Sequence, residues 1–303
     1  MTRVAAIDCG TNSIRLLVAD IDGDVLTDVD RRLEIVRLGQ GVDRTGRLAP
    51  EAIERTRIAL ATYTETIGDI DRIRMVATSA TRDAENRDDF RAMVVATLGQ
   101  APEVITGDEE AALSYAGAVR SLPVTKSPTL VVDIGGGSTE FILGDANHAT
   151  TQRSVDIGCV RMTERHLTDD PPTAQQIAAA EEDVRNAIAL VRETVPVDDA
   201  ATLVGVAGTV TTVAGIALDL PEYDSDRIHG TVLTRQTVGE VAHRLLGMRR
   251  TERAALPVMH PGRVDVIGGG ALILRVIVES LGMPEVLTSE HDILDGIAWS
   301  LVS

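Results

Sequence analysis

The chain has 303 residues, a formal net charge of −17 and only 2% aromatic residues. Such a charge argues against a nucleic-acid partner or an acidic membrane, both of which call for a basic surface, and the scarcity of rings argues against a base-stacking platform. With 44% hydrophobic residues, the chain is long enough for two mid-sized domains with cores of Val, Ile, Leu and Ala.

Lys126 is the only lysine, so an anion would be met by Arg, by a metal or by backbone N–H groups. Cys9 and Cys159 are the only cysteines. Two cysteines so far apart make neither a disulfide framework nor a zinc motif, and they fit a reduced, cytoplasmic compartment. The start, Val4-Ala5-Ala6-Ile7, lacks the basic segment and apolar run of a signal peptide. No apolar run reaches the roughly 20 residues of a membrane span.

In chain order, a first strand runs into the turn after Asp8, and Asp22-Gly23-Asp24 marks a hairpin. A helix is expected over 50–67, opening at Pro50 with Glu51 and Glu54 in its first turn. Strands follow over 72–79 and 103–106, and Thr106-Gly107 leads into the acidic helix start Asp108-Glu109-Glu110. The stretch 119–128, with Pro123 and Pro128, reads as a connector. Another strand pair and a turn near Asp145-Ala146-Asn147 come next. Thr173 then caps a helix over 173–194, whose apolar spacing shows at Ile177, Val184, Ile188 and Val191. Strands are expected over 202–207 and 285–289, and a last helix from about His291.

The chain contains an echo. Residues 4–20 read VAAIDCGTNSIRLLVAD and residues 129–145 read TLVVDIGGGSTEFILGD, so that Asp8 aligns with Asp133, Gly10 with Gly135 and Ser13 with Ser138. A βββ-αβαβα plan met twice predicts two similar α/β domains facing each other, 1–125 and 126–290, with the final helix (291–303) returning to the first.

Glycine turns between strands let backbone N–H groups converge on an anion. Gly10, Asn12 and Ser13 form one such turn; Gly135, Gly136, Gly137, Ser138 and Thr139 form another. A third, 205–209, ends a strand and starts a helix, placing Gly208 and Thr209 at a helix N-terminus. Asp8 and Asp133 would repel a phosphate unless a cation lies between, and hard oxygen ligands suit Mg²⁺; a turn-capping role is the alternative. Glu140 lies on the strand leaving the second turn, on the opposite face from Thr139 and Phe141, where it could also simply face solvent. Gly268-Gly269-Gly270 fits either a further phosphate loop or close helix packing, and His229 either a phosphate donor or a structural turn residue. No G-x-x-x-x-G-K-[ST] or H-E-x-x-H is present, which excludes a P-loop nucleotidase and a zincin.

The segments DCGTNSIRLLVAD, ATSATRDAEN (77–86), EVITGDEEAALSYAGA (103–118), VVDIGGGSTEF (131–141), SVDIGCVRMTE (154–164), VGVAGTVTT (204–212), RIHGTVLT (227–234) and RVDVIGGGALIL (263–274) together resemble the exopolyphosphatase/guanosine pentaphosphate phosphohydrolase family, in order and over essentially the whole chain. The form is similar to short actinobacterial exopolyphosphatases. The resemblance implies two actin-like (ribonuclease H-like) domains of the actin/sugar-kinase/Hsp70 superfamily, with the active site in the cleft between them. It implies Glu110 as catalytic base, and Asp133 and Glu140 as catalytic groups linked to Mg²⁺ (or Mn²⁺), with Asp8 contributing to the metal. Arg15, Arg82 and Arg263 become anion contacts, and a homodimer is the family expectation. Larger relatives carry further C-terminal helical domains that grip long polyphosphate. They also often have Arg-x-Gly where this chain reads Ser289-Glu290-His291-Asp292-Ile293-Leu294-Asp295-Gly296, so no phosphate contact is carried over there.

The implied reaction is hydrolysis of the terminal phosphoryl of inorganic polyphosphate, of short chains in particular, or of guanosine pentaphosphate (pppGpp). A polyphosphate- or alarmone-binding regulator with little catalysis is the alternative of another class. Glu109 competes with Glu110 for the base role, because neighbours on a helix point about 100° apart and only one can face a phosphate.

Overall fold

The computed structural model describes every residue except 71, 121, 123–125, 146, 147 and 303. Ala146 and Asn147 of the expected turn, and residues 121 and 123–125 of the connector at 119–128, fall outside that set. The chain divides into two compact units, Met1–Gly117 with the segment from Ile293 onward, and Ala118–Asp292.

In the first unit, β1 (Thr2–Cys9), β2 (Ser13–Asp22) and β3 (Val25–Ile35) form an antiparallel meander. The Gly23-Asp24 turn joins β2 to β3, and Gly23 takes the positive φ of 59° that such a turn needs. There follow α1 (Val42–Thr45), α2 (Pro50–Ile67), β4 (Ile73–Ala77), α3 (Ser79–Asp83), α4 (Arg87–Leu98), β5 (Glu103–Val104) and α5 (Gly107–Arg120). The sheet order is β3-β2-β1-β4-β5, with β4 and β5 parallel to β1. From Val4 to Cys9, central β1 is apolar at every position but Asp8, because both its faces are covered. Ala5, Ile7 and Cys9 pack with Leu60, Tyr63, Phe90 and Val94 of α2 and α4. Val4 and Ala6 pack with Leu113 of α5 and with Ile293, Leu294, Ile297 and Trp299 of the terminal helix (Ile293–Ser300). Each aliphatic or aromatic side chain so buried contributes about 1.5–3 kcal/mol of transfer free energy.

The second unit repeats the meander with β6 (Thr129–Ile134), β7 (Thr139–Gly144) and β8 (Ala149–Val155). It continues with α6 (Cys159–His166), α7 (Ala174–Arg192), β9 (Thr202–Val206), α8 (Ala207–Ala217), α9 (Ser225–Ile228), β10 (Val232–Thr234), α10 (Arg235–Gly247), α11 (Arg250–Ala254), α12 (Ile267–Ser280) and β11 (Glu285–Thr288). Thr173 caps α7 in a reciprocal box with Gln176. The sheet order, β10-β11-β9-β6-β7-β8, is that of the first unit with one extra edge strand. The shared order and the opening meander make the two units copies of one α/β plan, as the sequence echo predicts. β10 is a strand that periodicity does not announce, being three residues at an edge.

The glycine triplet Gly268-Gly269-Gly270 is a packing device. It lies inside α12, which is buried on all sides from Ile267 to Val278. A methyl group on Gly269 would stand 2.6 Å from Thr163 Oγ1, and one on Gly270 2.5 Å from Thr209 Oγ1. Only hydrogen at these positions lets α12 lie against α6 and α8.

Candidate active site

The two hairpin turns share one construction. Gly10 N–H donates to Ser13 C=O at 2.9 Å, and Gly135 N–H donates to Ser138 C=O at 3.0 Å. Each turn follows an aspartate on its incoming strand. In the first, Asp8 stands directly across from Arg15 in the β1–β2 register. Arg15 Nε and Nη2 both donate to Asp8 Oδ2, at 3.0 and 2.6 Å. In the second, the residue across from Asp133 is Glu140. Partners directly opposite in an antiparallel pair point to the same face, so two buried carboxylates stand side by side, away from the face formed by Val132, Ile134 and Phe141. The Ser154 hydroxyl donates to Glu140 Oε1 at 2.7 Å.

The second turn is anchored from behind by α6. N–H groups of Cys159 and Val160 donate to Gly135 and Gly136 carbonyls at 2.9 Å, and Arg161 Nε donates to Gly137 C=O at 2.8 Å. Gly158 permits this approach, since a Cβ there would overlap the Gly136 carbonyl group. With its carbonyls held towards α6, the turn offers N–H groups of Gly136, Gly137 and Ser138 that donate to no backbone carbonyl among the described residues. This is the form of an anion nest.

The third turn is strained. Ala207 has φ 67°, a left-handed conformation costing a residue with a Cβ about 1–2 kcal/mol. It opens α8 immediately before Gly208 and Thr209. Arg263 lies over Gly208, where a Cβ would collide with its guanidinium, and its Nη1 donates to Thr212 Oγ1 at 3.0 Å. Cys159 shares this corner. Burial pushes its thiol up to about 11, against the pull of Arg263 and the Thr209 hydroxyl.

In the first unit the acidic start of α5 is sorted by two arginines. Arg74 Nη2 donates to Glu109 Oε1 at 2.8 Å, and the Glu109 side chain is 45% exposed. Arg82 Nη1 donates to Glu110 Oε2 at 3.1 Å, and the Glu110 side chain is 10% exposed. Strand alternation puts Asp8 and Arg15 on the sheet face of Val4, Ala6 and Leu17, the face that α5 covers.

Several residues expected to bind phosphate have other work. Thr139 is fully buried and its hydroxyl donates to Ile157 C=O, so its one hydroxyl proton is not directed at a ligand. Arg15 is engaged with Asp8, Arg82 with Glu110 and Ile105 C=O, and Arg263 with Thr212. Glu140 is buried in β7 and does not face solvent. His229 is a turn residue: it ends α9, its Nδ1 accepts from Glu290 N–H at 3.3 Å, and its ring meets His291 edge-on at 5.1 Å. Among the described residues no three acidic, His or Cys side chains form a ready-made metal cage.

Comparison with known proteins identifies the family. Residues 17–303 match the Ppx/GppA phosphatase family. The chain belongs to that family. It is 52% identical to exopolyphosphatase 2 of Mycobacterium tuberculosis, over 99% of each chain. It is 31% identical to the guanosine-5'-triphosphate,3'-diphosphate pyrophosphatase of Photobacterium profundum, over 99% of this chain and 59% of that protein. The crystal structure of an exopolyphosphatase-like protein superposes with a TM-score of 0.93 at 43% identity, over 98% of both chains. The Aquifex aeolicus Ppx/GppA family member gives 0.83 at 31% identity, over 99% of this chain and 97% of that one.

Two parts of this candidate site escape a reading by motif. Arg161 and Gly158, which brace the second turn, carry no signal beyond lying in a segment shared with the family. The strain at Ala207 is invisible because the residue is not Gly. The pairing of Asp133 with Glu140 was legible in principle, since both Asp8–Arg15 and Asp133–Glu140 are seven residues apart around the same turn.

Proposed function

We propose that this Ppx/GppA phosphatase is an exopolyphosphatase that hydrolyses terminal phosphoryl groups of short inorganic polyphosphate, with Glu110 as the base. The observation that carries the assignment is the sorting of the two adjacent acids, Glu109 turned out to Arg74 and Glu110 turned in and held by Arg82. Family membership and the 52% identical exopolyphosphatase support the substrate class.

In the reaction, Glu110 orients a water and takes its proton as the water oxygen bonds to the terminal phosphorus. The bond from that phosphorus to the bridging oxygen breaks, leaving orthophosphate and a chain one unit shorter. The glycine turns, with Gly136, Gly137 and Ser138 foremost, hold phosphate oxygens through N–H groups. Arg263 and the N-terminus of α8 add positive potential.

The donor set fits Mg²⁺ or Mn²⁺ in part. Mg²⁺ keeps several waters and takes one or two carboxylates plus substrate phosphate oxygens, which the Asp133–Glu140 pair can supply. Asp8, whose Oδ2 already accepts twice from Arg15, suits an outer role through water. When bound, the cation would offset charge on the phosphate chain.

A second reading, hydrolysis of pppGpp to the tetraphosphate, is favoured by the 31% identical relative named for that class of nucleotide. It would use the same groups. The test is phosphate release from short polyphosphate, pppGpp and ATP, each with Mg²⁺. Polyphosphate as the preferred substrate is the expected result. Preference for pppGpp would reassign the substrate, and no release from either would reduce the protein to a binder.

A further inference from the structure

We propose that Arg82 is a positioning residue for Glu110, not a phosphate contact; this rests on Glu110 being the base. Arg82 belongs to the one-turn helix α3, directly after β4, while Glu110 lies in the first turn of α5, after β5. A single nitrogen, Arg82 Nη1, reaches both Ile105 C=O at 3.2 Å and Glu110 Oε2 at 3.1 Å. The guanidinium therefore ties the base to the end of the strand segment from which its helix departs. The same helix start is fixed from within, where the Thr106 hydroxyl accepts from Glu109 N–H at 3.2 Å.

A carboxylate on a helix can swing through several rotamers, and a charge-assisted bond to a fixed partner removes that freedom. The neighbouring pair sharpens the argument. Arg74 holds Glu109 while also bonding Glu103 Oε2 at 2.7 Å, so each acid of the Glu109-Glu110 pair has its own arginine from the β4 side of the sheet. Removing Arg82 leaves Glu110 present but unsteered. Turnover is lost because the water is misplaced, while phosphate binding is spared.

The experiment is a double-mutant cycle in the full chain, with steady-state kinetics on short polyphosphate. Arg82→Gln should lower kcat by about 10–100-fold with KM within about twofold. Arg82→Lys, which keeps the charge but not the planar fork, should recover part of kcat. In the Glu110→Gln background, Arg82→Gln should cost less than about twofold more, because the residue being steered is already disabled. Melting curves of all variants identify a folding defect, and Arg82→Lys serves if Arg82→Gln is poorly folded. A rise in KM at unchanged kcat, or losses that multiply across the cycle, overturns the positioning role and returns Arg82 to the phosphate. Full activity of Glu110→Gln alone sinks the proposed mechanism instead, so the two failures are told apart.

Discussion

The two hairpin turns are copies in backbone and opposites in charge. Both close through a Gly N–H to Ser C=O bond, and both place an aspartate seven residues before its cross-strand partner. In the first unit that partner is Arg15, and the charge is balanced within the hairpin. In the second it is Glu140, and two acids lie together where like charges directly opposite destabilise a sheet. A fold keeps such a pair when something else gains by it. The comparison teaches that the same backbone turn carries a self-balanced ion pair in one unit and two adjacent acids in the other, and under the proposed function the cation that offsets those acids would sit beside the second turn, not the first.

Mutation of the second pair should have the largest effect. Asp133→Asn or Glu140→Gln is expected to cut Mg²⁺-dependent phosphate release by more than about a hundredfold, above the range of outer-shell changes, with Asp8→Asn at about tenfold. Steady-state rates check this, and equal losses from all three would break the comparison. A chelator should abolish turnover of the wild-type protein and added Mg²⁺ should restore it; turnover persisting in excess chelator would remove the cation from the account.

Arg15→Glu makes the first hairpin resemble the second. Deprived of its counterion, the buried Asp8 should lower stability by about 3–5 kcal/mol, read by urea unfolding. Gly158→Ala forces a Cβ into the Gly136 backbone and should cost about 1–3 kcal/mol together with activity. Gly10→Ala, whose Cβ would find Ser13 C=O at an ordinary 3.6 Å, should be milder.

The smallest effect is a pH dependence in the second unit. Burial pushes the Asp183 carboxyl up, but hydrogen bonds from His166 and Arg165 outweigh it and hold the group below the ordinary carboxylate value. A lowered folded-state value means stability present above the unfolded value, near pH 4, and lost as pH falls through the folded one. Asp183→Asn should flatten that acid loss by about 0.5–1 kcal/mol, seen as a smaller drop in melting temperature between pH 5 and pH 3.

The sequence showed what depends on local pattern. The Asp-x-Gly turns, the helix starting at Pro50, the Thr173 cap and the two meanders could be read from periodicity and turn chemistry because each is decided within a few residues. Legibility stopped where a side chain has a choice of partners. The same arginine can meet a phosphate or a carboxylate, and Arg15, Arg82 and Arg263 all have protein partners fixed by cross-strand register or by packing between elements distant in sequence. The glycine triplet was ambiguous for the same reason: close packing and phosphate binding both need the missing Cβ, and only the neighbours Thr163 and Thr209 decide between them.

The most direct test sets Glu110→Gln beside Glu109→Gln in one assay of phosphate release from short polyphosphate. Glu110→Gln should lose at least about a hundredfold in turnover, the scale of a missing general base, with binding preserved, while Glu109→Gln should stay within a few fold of the wild type. The opposite order, with Glu109→Gln inactive and Glu110→Gln near normal, would contradict the assignment of the base.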